Sequence, residues 1–276
     1  MEAKRSGSDM IKSLPADVIE SILCLLPFKE AVRTSIICRE WRYYWTKVPN
    51  LVFIEDVNKE SLSDDDDERL SITRQAKRKF LFAINQVMSM HQSPIHEFSL
   101  SMCPTFGLLP DTDDSTIVEL MDCLPLIESL SICLSMMKGR VPKKLPTPLV
   151  RLKCLCIRDT SSVYKDRIPL LALLIRSSPN LEKLNLKIVY NLRLETTLED
   201  YSDMRLEHLN EIEIESWRQH NILEFVKLLM AKSPALKKVR ILLRQKVSRN
   251  EELKISRIFL QYQCASPAVQ IFVRFT

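Results

Sequence analysis

The sequence predicts an α+β protein: a small all-helical module followed by an irregular α/β solenoid. Three observations carry this. An apolar segment at residues 13–45 shows helical periodicity and is cut by Pro15 and Pro27. From residue 95 onward, a hexamer with strand-like alternation recurs six times at near-regular spacing. Between the two parts lies a run of acidic residues with nothing to bury.

The opening segment reads SLPADVIESILCLLPFKEAVRTSIICREWRYYW. Val18, Ile19, Ile22, Leu23 and Leu26 recur at helical spacing, with Asp17, Glu20 and Ser21 directed elsewhere. Pro15 suits the first turn of this helix, where a missing N–H costs nothing. Pro27 ends it, because the residue before a proline resists the helical region. A second helix is predicted to carry Ala31, Val32, Ser35 and Ile36, and Trp41 and Trp45 fall four apart on one helical face. A module of about 45 residues struggles to bury enough area by itself. Its apolar faces either dock on a partner or pack on the rest of the chain, and both remain open from the sequence.

Next comes NKESLSDDDDERL, where like charges repel and no apolar face forms, predicting a linker. Asp64 to Asp67 lack the alternation and turn glycine of a calcium loop. RQAKRK reads as a basic import patch or as the wet start of a helix leading into FLFAINQVM.

The hexamer (Leu or Ile)-x-x-apolar-x-(Leu or Ile) begins at residues 95, 127, 152, 181, 209 and 236, with steps of 32, 25, 29, 28 and 27. That spacing brackets the period of leucine-rich repeats, in which a short strand is followed by a returning helix or loop. Helical faces precede several hexamers. Ile117, Leu120, Met121 and Leu124 form one, with Thr116 and Glu119 as a capping box. LLALLIRSSP supplies another, and Ile222, Phe225, Val226, Leu229 and Met230 a third. Pro125, Pro179 and Pro234 stop these helices before their strands. MKGRVPKKLPTPLV and YNLRLETTLEDYSDM show no such face. A last helix near residues 251–263 leads into a terminal strand, VQIFVRF.

Composition narrows the function classes. With three glycines, neither a phosphate loop, a dinucleotide fingerprint nor a G-x-S-x-G elbow can be assembled. His91, His96, His208 and His220 form no H-E-x-x-H motif, and nothing reads as a nucleophile with its base. No catalytic residue, metal ligand or cofactor is expected. The eight cysteines include no C-x-x-C pair, so free thiols in a reducing compartment are expected. The net charge of +5 is mixed along the chain and does not suggest nucleic acid. No apolar run of membrane-spanning length occurs, and MEAKRSGSDM lacks a signal core. A cytoplasmic or nuclear protein is expected.

The opening segment resembles an F-box, especially its plant form. Leu14-Pro15, the helix closing at Leu26-Pro27, AVRTS at 31–35 and the two tryptophans carry the likeness. Phe28 departs from the small or polar residue more usual in relatives. SPIHEFSLSMC, PTPLVRLKCLCI and LLIRSSPNLEKLNL resemble the leucine-rich-repeat region of plant F-box proteins. LNEIEIESWRQHNILEFVKLLMAKSPALKKVRI and ASPAVQIFVRF resemble their C-terminal FBD module. The resemblance implies an F-box at 8–54, an acidic linker at 55–79, repeats at 80–205 and an FBD domain at 206–276 that continues the array.

It further implies a non-catalytic substrate receptor of an SCF-type ubiquitin ligase, docking a Skp1-like (ASK) adaptor and, through it, a cullin and RING protein. Leu14, Pro15, Ile19, Leu23, Leu26, Pro27, Val32 and Trp41 would include the adaptor-facing residues, though some could be internal core. The alternative is a non-degradative interaction scaffold or a degenerate member without a substrate. An unidentified protein substrate would bind the repeat surface. By strand alternation, hexamer positions three and five face outward. They start with Glu97 and Ser99 and change along the array from small neutral residues (Ser129, Ser131, Cys154, Cys156) to charged ones. Lys183, Asn185, Glu211, Glu213, Glu215, Lys238 and Arg240 are therefore the substrate-binding candidates, with an acidic stripe on one strand beside cations on the next.

Overall fold

The computed structural model describes residues 14–37, 39, 41–54, 75, 79–80, 82–101, 120–133, 141–159, 167–188, 204–216, 222–244, 248–262 and 264–275. The chain divides into two units, Met1–Leu109 and Pro110–Thr276. The first opens with helices and the second mixes helix and strand, in keeping with the predicted α+β class.

In the first unit, α1 (Ala16–Cys24) buries Ile19 and Leu23, one turn apart on a single face. The Pro15 carbonyl accepts from the amides of Val18 and Ile19, both at 3.1 Å, so proline starts the helix without a side-chain cap. The last turn tightens as Leu25 N–H donates to Ile22 and Leu26 N–H to Leu23. Pro27 then repeats the device of Pro15, its carbonyl receiving the amides of Glu30 and Ala31 at the start of α2 (Phe28–Arg33). A 3-10 turn, Thr34–Ile36, follows.

Trp41 and Trp45 are both buried, yet they do not share an α-helical face. Trp41 lies in a turn and Trp45 in a 3-10 segment, Tyr44–Lys47. Phe28 is also buried, its ring edge-on to Trp45 at 6.2 Å and to Phe53 at 5.5 Å. The departure from the family pattern at this position is thus a core anchor.

That anchor reaches a strand the hexamer did not reveal, β1 (Asn50–Ile54). After helix α3 (residues 82–90), β1 pairs in parallel with β2 (Glu97–Ser101), register Asn50 to Glu97. Val48, Leu51 and Phe53 occupy the offsets of the hexamer's three apolar positions and are all buried. The pattern missed them because it demanded leucine or isoleucine at its ends. His91, half-buried, hydrogen bonds through Nε2 to the Val48 carbonyl at 2.9 Å. The proposed linker, the acidic run and most of RQAKRK lie outside the described residues.

In the second unit, the hexamers become β3 (Ser129–Cys133), β4 (Cys154–Asp159), β5 (Lys183–Ile188), β6 (Glu211–Ser216) and β7 (Lys238–Leu243). With β8 (Gln270–Phe275), they pair in sequence order, every neighbour parallel. Position three of one hexamer meets position three of the next throughout, so the sequence repeat is also the hydrogen-bonding register. Positions one, four and six are buried in all five, from Ile127, Leu130 and Ile132 to Leu236, Val239 and Ile241. Each such leucine or isoleucine contributes roughly 1.5–3 kcal/mol of burial.

Helices return between strands: α4 (Arg167–Arg176) before β5, α5 (Ile222–Ala231) before β7 and α6 (Arg249–Leu260) before β8. α4 and α5 close alike. The buried hydroxyls of Ser178 and Ser233 each donate to the carbonyl four residues back, at 2.7 Å, and a proline follows. No helix occurs at 141–153; Leu145 and Leu149 fill buried positions there instead. α6 is opened by a capping box, the Ser248 side chain and Glu251 satisfying each other's backbone amides. The Thr116–Glu119 box and YNLRLETTLEDYSD lie outside the described residues. No described helix is long and apolar enough to cross a membrane.

Candidate functional site

Two surfaces meet the sequence-predicted sites, one in each unit. On the helical module, the eight candidate residues separate by burial. Ile19, Leu23 and Trp41 are at most 4% exposed and belong to the module's own core. Leu14, Leu26 and Val32 are half-buried, and Pro15 and Pro27 are exposed. A partner can reach the last five without unfolding the module; it cannot reach the first three.

The structure adds residues that were not among the docking candidates. Leu25 and Ile36 are each 86% exposed, with Ile37 and Tyr43 also more than half exposed. These apolar side chains sit just past the end of α1, at the end of the 3-10 turn and in the tryptophan turn. Single exposed apolar residues are ordinary, but several large ones on so short a module make it a candidate interaction surface. Between these turns the module is braced by Lys47, which bridges back to Glu20 at 2.6 Å.

The second surface is the outer face of β5 to β8. Strand alternation turns Leu184, Leu186, Ile212, Ile214, Val239 and Ile241 inward, and their neighbours outward. Register then builds a grid. Lys183, Glu211, Lys238 and Gln270 form one row; Asn185, Glu213, Arg240 and Phe272 the next; Lys187, Glu215, Leu242 and Arg274 the last.

Within this grid the glutamates of β6 are not a free acidic stripe. Glu211 pairs with Arg240 at 3.0 Å and with Lys183 at 3.5 Å. Glu213 lies 3.6 Å from Arg240 and accepts from Asn185 Nδ2 at 3.4 Å. Glu215 pairs with Lys187 at 3.4 Å and with Arg244. Burial would raise the Glu215 carboxyl, but hydrogen bonds from Arg244 and Lys187 and their charges outweigh it and hold the group below its usual range. The stripe expected to confront a partner is thus largely satisfied by cations of the neighbouring strands.

Beyond the predicted residues, Lys187, Leu242, Phe272 and Arg274 join Asn185, Glu213, Glu215, Lys238 and Arg240 around a groove of about 310 Å³. Two signals could have found them. Carrying the outward alternation two residues on from the fifth hexamer position reaches Lys187 and Leu242, and placing VQIFVRF in register reaches Phe272 and Arg274. The face of β3 and β4 is different in kind: Ser129, Ser131, Cys154 and Cys156 are small, and Arg158 donates to Ser131 at 3.0 Å. Burial pushes the Cys154 thiol up, and the charge of Lys183, which favours the thiolate, offsets this only in part. Among the described residues, no group of three or more His, Cys, Asp or Glu is placed to hold a metal ion.

Residues 11–53 match the F-box domain. The chain is 37% identical over 93 residues to an F-box/FBD/LRR-repeat protein of Arabidopsis thaliana, covering 34% of this chain and 20% of the relative. It is 36% identical over 99 residues to an F-box/LRR-repeat protein of the same plant, covering 35% and 24%. A putative FBD-associated F-box protein of Arabidopsis matches at 29% over 142 residues, half of this chain and 28% of the relative. The matches thus span about a fifth to a quarter of these relatives' own length. Together they support a plant F-box protein of the leucine-rich-repeat and FBD type.

Proposed function

We propose that this F-box protein of the plant leucine-rich-repeat and FBD type is the substrate-recognition subunit of an SCF-type ubiquitin ligase. The carrying observation is the exposure of Leu25, Ile36, Ile37 and Tyr43 on a module that matches the F-box domain. On this reading those residues, with Leu14, Pro15, Leu26, Pro27 and Val32, face a Skp1-like (ASK) adaptor. The adaptor brings a cullin, a RING protein and the charged conjugating enzyme.

The F-box spans 8–54, a linker 55–79, a leucine-rich-repeat solenoid 80–205 and an FBD module 206–276 that extends the same parallel strands. The in-register hexamers favour such an array, since stacking buries what one repeat cannot. A protein substrate is held on the outer face of the strands. The chain itself breaks no bond; it raises the effective concentration of a substrate lysine near the ubiquitin-charged enzyme. On this reading it works in the cytoplasm or nucleus.

The test has two steps. The purified chain is mixed with a Skp1-like adaptor alongside a known F-box protein. Co-purification is expected, and failure where the control succeeds removes the ligase reading. Proteins that accumulate after proteasome inhibition only when the chain is present then identify a receptor. Adaptor binding with no such protein would favour a non-degradative scaffold.

A further inference from the structure

The outer grid does not balance. Glu211, Glu213 and Glu215 share their surroundings with six cations: Lys183, Lys187, Lys238, Arg240, Arg244 and Arg274. Four of these are engaged by the β6 carboxylates. Among the described residues, Lys238 and Arg274 have no carboxylate partner. Lys238 instead lies over the Phe272 ring, with Nζ 5.6 Å from its centroid. Phe272 is 47% exposed, although it stands on a strand, and with Leu242 it lines the open groove.

We infer that this groove docks an acidic linear segment of a partner protein, one that carries an apolar side chain among its carboxylates. The carboxylates meet Lys238 and Arg274, and the apolar side chain covers Phe272 and Leu242. The inference deepens the receptor reading and rests on it for its cellular role, though not for the binding itself.

Charge complementarity selects this occupant. Cations without partners gain charge-assisted hydrogen bonds from incoming carboxylates, and the neighbouring ring excludes water from them. A second copy of this chain would set the same cation surplus against itself. A nucleic acid strand would find one exposed ring, Phe272, where a stacking platform needs several. A compact small molecule is disfavoured because the groove lies open along the sheet.

The test uses the full chain and a labelled short peptide of alternating glutamate and serine with a central leucine, read by fluorescence anisotropy. Binding is expected, weakening as salt rises. Replacing the glutamates by glutamine, or using the Lys238→Glu/Arg274→Glu variant, is expected to weaken it by about tenfold or more. Phe272→Ser is expected to weaken it less. Thermal melts and adaptor capture by the same variants report folding and the F-box separately. Equal binding of the glutamine peptide, undiminished binding by the charge-reversed variant, or tighter binding of a single-stranded RNA would overturn the inference. So would no binding of the acidic peptide, and adaptor capture in that preparation tells whether the receptor reading survives.

Discussion

The helical module and the strand array solve the same problem, hiding apolar side chains, with different success. Along β5 to β7, every second residue is inside and, Ser216 apart, apolar, and most of the outward charges answer one another across strands. In the module, helical spacing hides Ile19 and Leu23 but leaves Leu25 and Ile36 almost wholly in solvent. An array of stacked strands adds buried area with each unit, whereas a few short helices have too little interior for the apolar residues they carry. The difference teaches where each surface obtains its specificity. The module offers uncovered apolar groups, and the array offers charges, most of them already spoken for.

The largest effects should come from residues both regions bury. Phe28→Ala is expected to cost about 3–5 kcal/mol and Leu184→Ala about 2–5 kcal/mol in urea unfolding. Leu25→Ala should stay within about 0.5 kcal/mol of the parent. A Leu25→Ala loss as large as that of Leu184→Ala would erase the distinction between the regions.

A smaller effect separates paired from unpaired charges. The folded-state pKa of Glu215 is lowered from the usual 4.5. Its contribution to stability is therefore fully present above that value and lost as pH falls through the lowered folded value. Glu215→Gln should be less stable than the parent at neutral pH, and the gap should close as acid is added below pH 4.5. A gap that does not change with pH would deny the ion pairing. The smallest effect is expected at Lys183, whose side chain is more than half exposed; Lys183→Ala should change stability by about 0.5 kcal/mol or less.

Legibility differed between the regions for physical reasons. Hexamers that alternate apolar and polar residues announce strands, their inner faces and even their register, because pairing by one repeat length keeps every leucine inside. β1 escaped because Val48 and Phe53 do the work of leucine there. Both ends of α1 were legible from Pro15 and Pro27, whereas the second helix, expected to carry Ser35 and Ile36, ends at Arg33 and gives way to the 3-10 turn. The tryptophan spacing misled, since residues four apart can also meet through turns that place both rings inward. Phe28 was read as a departure at a helix start, and only its packing on Trp45 and Phe53 gives it a role. At the sites, periodicity names a face without saying whether anything covers it, so buried Ile19 and half-buried Leu26, both on that face, could not be told apart. Likewise the acidic stripe was visible in the sequence of β6, while its neutralisation depended on which strands flank it.

The most direct measurement compares Leu25→Asp with the parent for adaptor affinity and for unfolding in the same preparation. Adaptor binding should fall by about a hundredfold, the effect of losing a hot spot, with the unfolding midpoint unchanged. Undiminished binding, or a loss of binding accompanied by an equally large loss of stability, would contradict the separation of a docking surface from the module's core.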